Sequence, residues 1–160
     1  HLYSISREEQ NILVVDYRPV DTEMPAGLEL SVTETVDQEA PRIQGRPTVN
    51  LQLLANDEVC LQVVVVPGLL DTAVGGLAEY ASVLGMRQLN NMDEVPERIQ
   101  TPCFLSRYAY APARHLDRGL PVQEWDGAGY RRSLVDYNPG VRVAATLFTL
   151  PAGYAKFSLD

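Results

Sequence analysis

The strongest constraint in the sequence is a pair of stretches with strand composition, separated by a two-residue turn. Residues 48–54 (TVNLQLL) alternate apolar and polar side chains, and residues 59–66 (VCLQVVVV) follow the pair Asn56-Asp57. Alternation with a period of two places successive side chains on opposite faces of a strand. Asn and Asp favour the tight turn that joins antiparallel strands. These residues therefore predict a β-hairpin.

Other parts of the chain also have strand composition. Residues 28–36 (LELSVTETV) alternate cleanly, which is typical of a half-buried strand with one face in water. Four further runs predict strands: residues 11–17, 103–109, 141–150 and 155–159. Residues 70–86 instead carry apolar side chains three or four positions apart, but Gly75 and Gly76 would each cost about 1 kcal/mol inside a helix. We expect a short helix there, or a compact loop with one helical turn.

The number of short strands determines the expected fold class. Together with eleven prolines and eleven glycines, they predict an all-β fold, an antiparallel β-barrel or sandwich with at most one short helix. The length of 160 residues suits a single domain. Cys60 and Cys103 lie in apolar surroundings and outside any Cys-x-x-Cys motif. We therefore expect two buried free thiols.

The composition argues against two classes of partner. The formal net charge is -8 at pH 7, whereas a general nucleic-acid binder needs clustered lysine and arginine. The longest apolar runs fall far short of the ~20 residues that a membrane-spanning helix requires. We expect neither nucleic-acid binding nor membrane insertion by this domain.

The sequence offers few groups for catalysis. A hydrolase triad would have to combine His115 and Asp117 with Ser106 or Ser133. No Gly-x-Ser-x-Gly nucleophile elbow supports such a triad, and a solvated loop is the favoured interpretation of His115. Metal-binding and phosphate-binding motifs are also missing from the sequence. We predict no catalytic residue, no metal site and no cofactor.

Aromatic residues and arginines form the best candidate for a binding surface. Tyrosine, tryptophan and arginine are enriched at binding hot spots because they supply a large, rigid contact area with a polar tip. Whether Trp125 belongs to this surface or to the core stays open at this point. The candidates form two groups, of which the first is the stronger: Trp125, Tyr130, Arg131, Arg132 and Tyr137, and then Tyr108 and Tyr110.

Two patches of the sequence resemble the protruding domain of hepatitis E-like virus capsids. The N-terminal patch is LELSVT at residues 28–33, followed by Asp37-Gln38. The C-terminal patch contains three motifs after Glu124-Trp125: AGY at residues 128–130, LVD at 134–136 and GVRVA at 140–144. The resemblance rests on the order of the two patches and on the distance between them in the sequence. The astrovirus capsid spike, which is similar in fold, is the alternative family.

The resemblance implies a viral capsid spike on the virion surface, folded as a twisted antiparallel barrel. Such a domain forms a homodimer, attaches to a host receptor of protein or glycan nature, is recognised by neutralising antibodies and has no catalytic activity. Residues 1–160 would be one protruding domain, with residues 67–101 inserted or rebuilt. By position, the outer dimer and receptor loop falls on Tyr130 and, with it, Arg131, Arg132 and Tyr137. The alternative function is a cellular carbohydrate-binding or adhesin-like β domain that stacks sugars on Trp125 and the tyrosines.

Overall fold

The described part of the chain folds into a five-stranded sheet, a three-stranded sheet and a long helix. The structure is a computed structural model that describes residues 1–20 and 23–158. The strands in chain order are β1 (Leu2–Ser6), β2 (Asn11–Val15), β3 (Leu30–Val36), β4 (Val49–Ala55), β5 (Glu58–Val66), β6 (Leu120–Trp125), β7 (Arg131–Ser133) and β8 (Ala155–Ser158). The long helix is α1 (Asp71–Asn90), and the short helix α2 (Pro102–Phe104) continues directly into a π-helix (Leu105–Tyr110).

The prediction of an all-β barrel or sandwich is wrong, because the fold is mixed α/β. The larger sheet has the antiparallel order β3-β4-β5-β6-β7, and the smaller sheet has the order β1-β2-β8. Neither sheet closes into a barrel within the described residues. The apolar face of the larger sheet is covered by α1 and by the segment after the π-helix, so closure into a barrel is not required to bury it. Val74 of α1 and Leu116 share a buried cluster with Val122 of β6.

The hairpin predicted from residues 48–66 is confirmed. β4 and β5 pair antiparallel around Asn56 and Asp57, whose φ angles are 49° and 64°. Positive φ at both residues is what a two-residue hairpin turn of the favoured twist requires. β2, β3 and β8 likewise confirm the strands predicted at residues 11–17, 28–36 and 155–159, although Leu159 lies outside the described residues. The face of the larger sheet that we call the inner face carries Val49, Leu51, Leu53, Leu61, Val63 and Val65, all buried.

Helix α1 is longer than the sequence predicted. It runs for 20 residues and passes through Gly75 and Gly76 without interruption. Its N-cap residue Leu70 provides no side-chain hydrogen bond, while Asp71 in the first turn interacts favourably with the helix dipole. Packing against the π-helix and, through Val74, against the sheet therefore stabilises this helix more than its own propensity does. Neither α1 nor any other described helix combines the length and the apolarity needed to cross a membrane.

Two glycines of α1 lie in different environments, so we expect opposite effects from the same substitution. A Cβ atom at Gly75 would meet nothing within 4 Å, and Gly75→Ala is expected to raise the free energy of unfolding by about 1 kcal/mol. A Cβ atom at Gly85 would lie 2.8 Å from Cγ of Pro112 and 2.9 Å from the carbonyl oxygen of Ala109. Gly85→Ala is therefore expected to lower that free energy by about 1–3 kcal/mol. Urea unfolding measures the free energy of unfolding of both variants. Equal changes in the two variants would contradict the close approach of Pro112 and Ala109 to Gly85.

The strand predicted at residues 103–109 is wrong, because α2 and the π-helix occupy this segment. Oγ1 of Thr101, the N-cap, accepts a hydrogen bond of 3.2 Å from the N–H of Phe104. Pro102 takes the first helical position, where its missing N–H has no cost. The expectation of two free thiols is wrong too, since Cys103 forms a disulfide with Cys60 of β5. The cysteines are 43 positions apart in the sequence, so no local sequence pattern reveals this contact.

The strand predicted at residues 141–150 is also wrong. Residues 141–144 have no regular structure, and Ala145–Phe148 forms a 3-10 helix. No strand of the described chain pairs with this segment, and Val143 and Phe148 are exposed. The residue types favour a strand, but a strand forms stably only beside a partner.

Candidate functional site

A pocket of about 220 Å³ lies between α1 and the inner face of the larger sheet. Leu53 and Leu61 of the sheet and Leu77, Tyr80 and Leu84 of α1 supply much of its apolar wall. Its polar lining consists of Arg107, Arg114, His115, Glu124, Tyr130 and Arg132. We call this site the central pocket.

The polar lining of the central pocket is centred on Glu124. β6 directs Val122 and then Glu124 inward by strand alternation, so Glu124 is only 3% exposed. Its Oε1 atom lies 3.1 Å from Nε2 of His115. Its Oε2 atom lies 2.7 Å from Nε of Arg132 and accepts a hydrogen bond of 3.0 Å from the hydroxyl of Tyr130. Because a carboxylate only accepts hydrogen bonds, His115 carries a proton on Nε2.

These partners keep Glu124 ionised. Burial by itself raises the pKa of this carboxyl group, but the hydrogen bond from His115 and the charge of Arg132 outweigh burial. The pKa of Glu124 falls to about 2 as a result. Burial and the nearby charge of Glu124 raise the pKa of Tyr130. The phenol therefore stays protonated and remains a hydrogen-bond donor to the carboxylate.

A second ion pair fixes Tyr130 at the edge of the pocket. Oδ1 of Asp126 accepts hydrogen bonds from the backbone N–H groups of Ala128 and Tyr130, both at 2.9 Å. Its carboxylate also pairs with Nη1 of Arg107, and this hydrogen bond keeps the pKa of Asp126 below its usual value. The guanidinium of Arg107 lies 5.1 Å from the ring centre of Tyr130 and 5.2 Å from that of Tyr108, within range of cation-π attraction.

Arg114 fastens the segment after the π-helix to the sheet. Its Nη1 and Nη2 atoms each donate to the carbonyl oxygen of Leu54 at 3.0 Å, and Nη2 also reaches Oγ of Ser106 at 3.3 Å. Burial lowers the pKa of Arg114, although a guanidinium stays charged in proteins. These acceptors are neutral groups. Arg114 therefore adds a positive charge to the pocket that no carboxylate of the described residues pairs with.

The residues predicted as a binding surface separate into three sets. Tyr108, Tyr130 and Arg132 come together in the central pocket. Trp125 and Arg131 are register partners in β6 and β7, and strand alternation places them on the outer face of the sheet, opposite Glu124. Trp125 is partly exposed there, so it lies outside the core.

The other two predicted tyrosines lie elsewhere. Tyr137 packs against the buried cluster that contains Val66. Tyr110 packs against the cluster that contains Ala55 and Cys60. Neither lines the central pocket.

The residues of the hydrolase triad considered above do not meet. His115 is buried against Glu124, so the expectation of a solvated loop is wrong for this residue. Asp117 is exposed, Ser106 is fully buried beside Arg114, and Ser133 is exposed on β7. In the part of the chain that the structure describes, no group of three or more His, Cys, Asp or Glu residues could hold a metal ion.

Glu124 and His115 are among the pocket residues that the sequence did not single out as a binding site. A signal for Glu124 exists in LPVQEW, residues 120–125, where Leu120, Val122 and Glu124 alternate with partly exposed positions. A carboxylate at an inward strand position needs a buried partner. Recognising it requires that β6 be predicted, and the proline at position 121 obscures that strand.

Comparison with known proteins does not assign this chain to a family. None of the protein-family models matches the chain, and neither curated proteins nor solved structures show significant similarity to it. The resemblance to capsid protruding domains stays a prediction from two sequence patches.

Proposed function

We propose that this chain is a non-catalytic recognition domain that holds an apolar group of its ligand in the central pocket. The observation that carries the proposal is an apolar-walled pocket with a few fixed polar groups, which is the usual composition of ligand sites. Leu77, Tyr80 and Leu84 are each at least 36% exposed around this site. Large apolar side chains around a concave surface supply contact area to a ligand.

The volume of the pocket limits the group that enters it. An apolar cavity of about 150 Å³ holds benzene, and the central pocket measures about 220 Å³. Pockets for drug-sized ligands begin at roughly 300 Å³. We infer that one ring, or a branched aliphatic group of similar size, enters the pocket while the remainder of the ligand contacts the exposed side chains around it.

The charged groups favour a binding role over proton transfer. A general acid or base works best with a pKa near the working pH, whereas the pKa of Glu124 is about 2. Both oxygens of Glu124 already have protein partners, and Asp126 is held by Arg107. These ionised groups act as a scaffold that shapes the pocket.

A viral capsid protruding domain, dimeric and receptor-binding, is a narrower proposal within the same functional class. The AGY, LVD and GVRVA motifs support it. The implied barrel differs from the observed fold, and GVRVA at residues 140–144 lies in an exposed segment without regular structure. Sedimentation over a range of concentrations tests it, since a homodimer supports a capsid spike and a concentration-independent monomer counts against one.

Filling the central pocket is expected to weaken ligand binding strongly without unfolding the domain. Ala81→Leu adds a larger apolar side chain inside the pocket, whereas Ala73→Leu changes an exposed alanine of the same helix outside it. The probe is neutral 3-phenylpropanamide, followed by NMR chemical shifts. Ala81→Leu should weaken its binding at least roughly tenfold, or about 1.4 kcal/mol, and Ala73→Leu should not change it. Undiminished binding to folded Ala81→Leu would contradict the proposed function.

A further inference from the structure

We propose that the central pocket selects an apolar group that carries a carboxylate, and that Arg132 binds this carboxylate. The proposal rests on the function proposed above and names the chemical class of the ligand. It depends on which arginine of the pocket has hydrogen-bond donors left to offer.

Arg132 has donors available. It lies in β7 opposite Glu124 in the strand register, and its Nε atom contacts Oε2 of Glu124 at 2.7 Å. A guanidinium has five N–H donors, and this contact uses the one on Nε. The side chain of Arg132 is 56% exposed. Its two Nη groups therefore face solvent, or a ligand, at the pocket.

The other two arginines of the pocket are committed to the protein. Nη1 of Arg107 pairs with Asp126 and reaches the carbonyl oxygen of Cys60 at 3.3 Å. The Nη atoms of Arg114 bind the carbonyl oxygen of Leu54 and the hydroxyl of Ser106. Arg107 and Arg114 are only partly exposed, whereas Arg132 is exposed, so Arg132 is the arginine whose Nη groups can most readily exchange water for a ligand.

The charge of the pocket favours an anion although the whole chain is acidic. Among the described residues, three arginines and a single carboxylate line the pocket, and Asp126 pairs with one of these arginines. The local charge therefore stays positive on a protein with a formal net charge of -8. A locally positive cleft raises the concentration of anions near it. The two Nη groups of a guanidinium match the two oxygens of a carboxylate in a planar, paired hydrogen bond. An apolar group in the pocket would hold its carboxylate next to this donor pair.

Two probes of nearly equal shape test the charge requirement. 3-Phenylpropionate and 3-phenylpropanamide share a ring and a linker and differ in charge. We expect the unchanged protein to bind the carboxylate about tenfold more tightly than the amide, because hydrogen bonds between charged groups are the stronger kind. Arg132→Gln should remove this preference. Arg131→Gln, the neighbouring arginine on the outer face, is the matched control and should keep it.

The variant Arg132→Lys keeps the proposal testable if Arg132→Gln does not fold. Lysine keeps a positive charge beside Glu124 but has no planar pair of donors. We expect this variant to fold and to prefer the carboxylate by about threefold, less than the unchanged protein. If folded Arg132→Lys still binds the carboxylate tenfold more tightly than the amide, the inference of a paired hydrogen bond from Arg132 is wrong.

The outcomes separate the two proposals. Equal binding of both probes, or an equal loss of preference in Arg131→Gln and Arg132→Gln, overturns the carboxylate proposal and leaves the binding pocket standing. If neither probe binds, the proposed function fails and this proposal with it. A further comparison uses acetyl-Ala-Ala-Phe with a free C-terminus. Tighter binding of this peptide than of 3-phenylpropionate supports a peptide C-terminus as the source of the carboxylate, and the reverse supports a small organic acid.

Discussion

Replacement of both Cys60 and Cys103 by alanine is expected to lower the free energy of unfolding by about 4 kcal/mol. The disulfide closes a loop whose ends are 43 positions apart. A cross-link over a loop of this length lowers the conformational entropy of the unfolded chain, which destabilises the unfolded state by about 4 kcal/mol. The bond also attaches α2 and the π-helix, which carry the pocket residues Arg107 and Tyr108, to β5. Urea unfolding at neutral pH measures the loss.

The reduced protein provides the control for the cysteine variant. Treatment with a reducing agent should lower the stability of the unchanged protein by a similar amount and leave the double variant unaffected. The variant should also bind 3-phenylpropanamide more weakly under conditions where it is folded, because one wall of the pocket has lost its attachment. Full stability of the variant without the bond would show that packing alone holds the π-helix.

Acid is expected to destabilise the protein through Glu124, by about 3 kcal/mol between pH 4.5 and pH 2. The pKa of this residue is about 2 in the folded protein, against 4.5 for an ordinary glutamate. A carboxyl group with a lower pKa in the folded state stabilises that state above its unfolded pKa, and the contribution disappears as pH falls through the folded pKa. At neutral pH the contribution of Glu124 is therefore fully present. Urea unfolding at several pH values measures it.

Glu124→Gln isolates this contribution from that of other carboxylates. At pH 7 the variant should be less stable than the unchanged protein by about 3 kcal/mol, and the difference should disappear near pH 2. Glu34→Gln is the matched control, because Glu34 pairs with Arg118 on the surface, where both side chains are well exposed. Such a pair contributes about 0–1 kcal/mol. A difference at Glu124 that does not depend on pH would contradict the ionised network around His115 and Arg132.

The part of the fold that the sequence predicts correctly is the part that depends on local pattern. β3, β4 and β5 follow from alternation over residues 28–66, and the turn follows from Asn56 and Asp57, which tolerate positive φ. Residues 103–109 and 141–150 have equally good strand composition and form no strand. In the first segment Thr101 and Pro102 start a helix, and in the second no neighbouring strand is present to pair with among the described residues.

The candidate site was predicted in part. Tyr108, Tyr130 and Arg132 are residue types that favour binding, and the structure brings these three together. Trp125 and Arg131 have the same chemical character but belong to the outer face, because they alternate with Glu124 and Arg132 along paired strands. Residue type alone cannot distinguish the two faces of a strand that has not been recognised.

The sequence by itself determined the hairpin, the turn and the residue types available for binding, since these depend on neighbours along the chain. Only the tertiary structure decided that Cys60 meets Cys103, that α1 covers the sheet instead of a second layer of strands, and that His115 and Arg132 meet on Glu124. The physical reason is that each of these contacts joins residues from different elements. Its free energy depends on burial and on a partner whose position is set by the packing of helix and sheet.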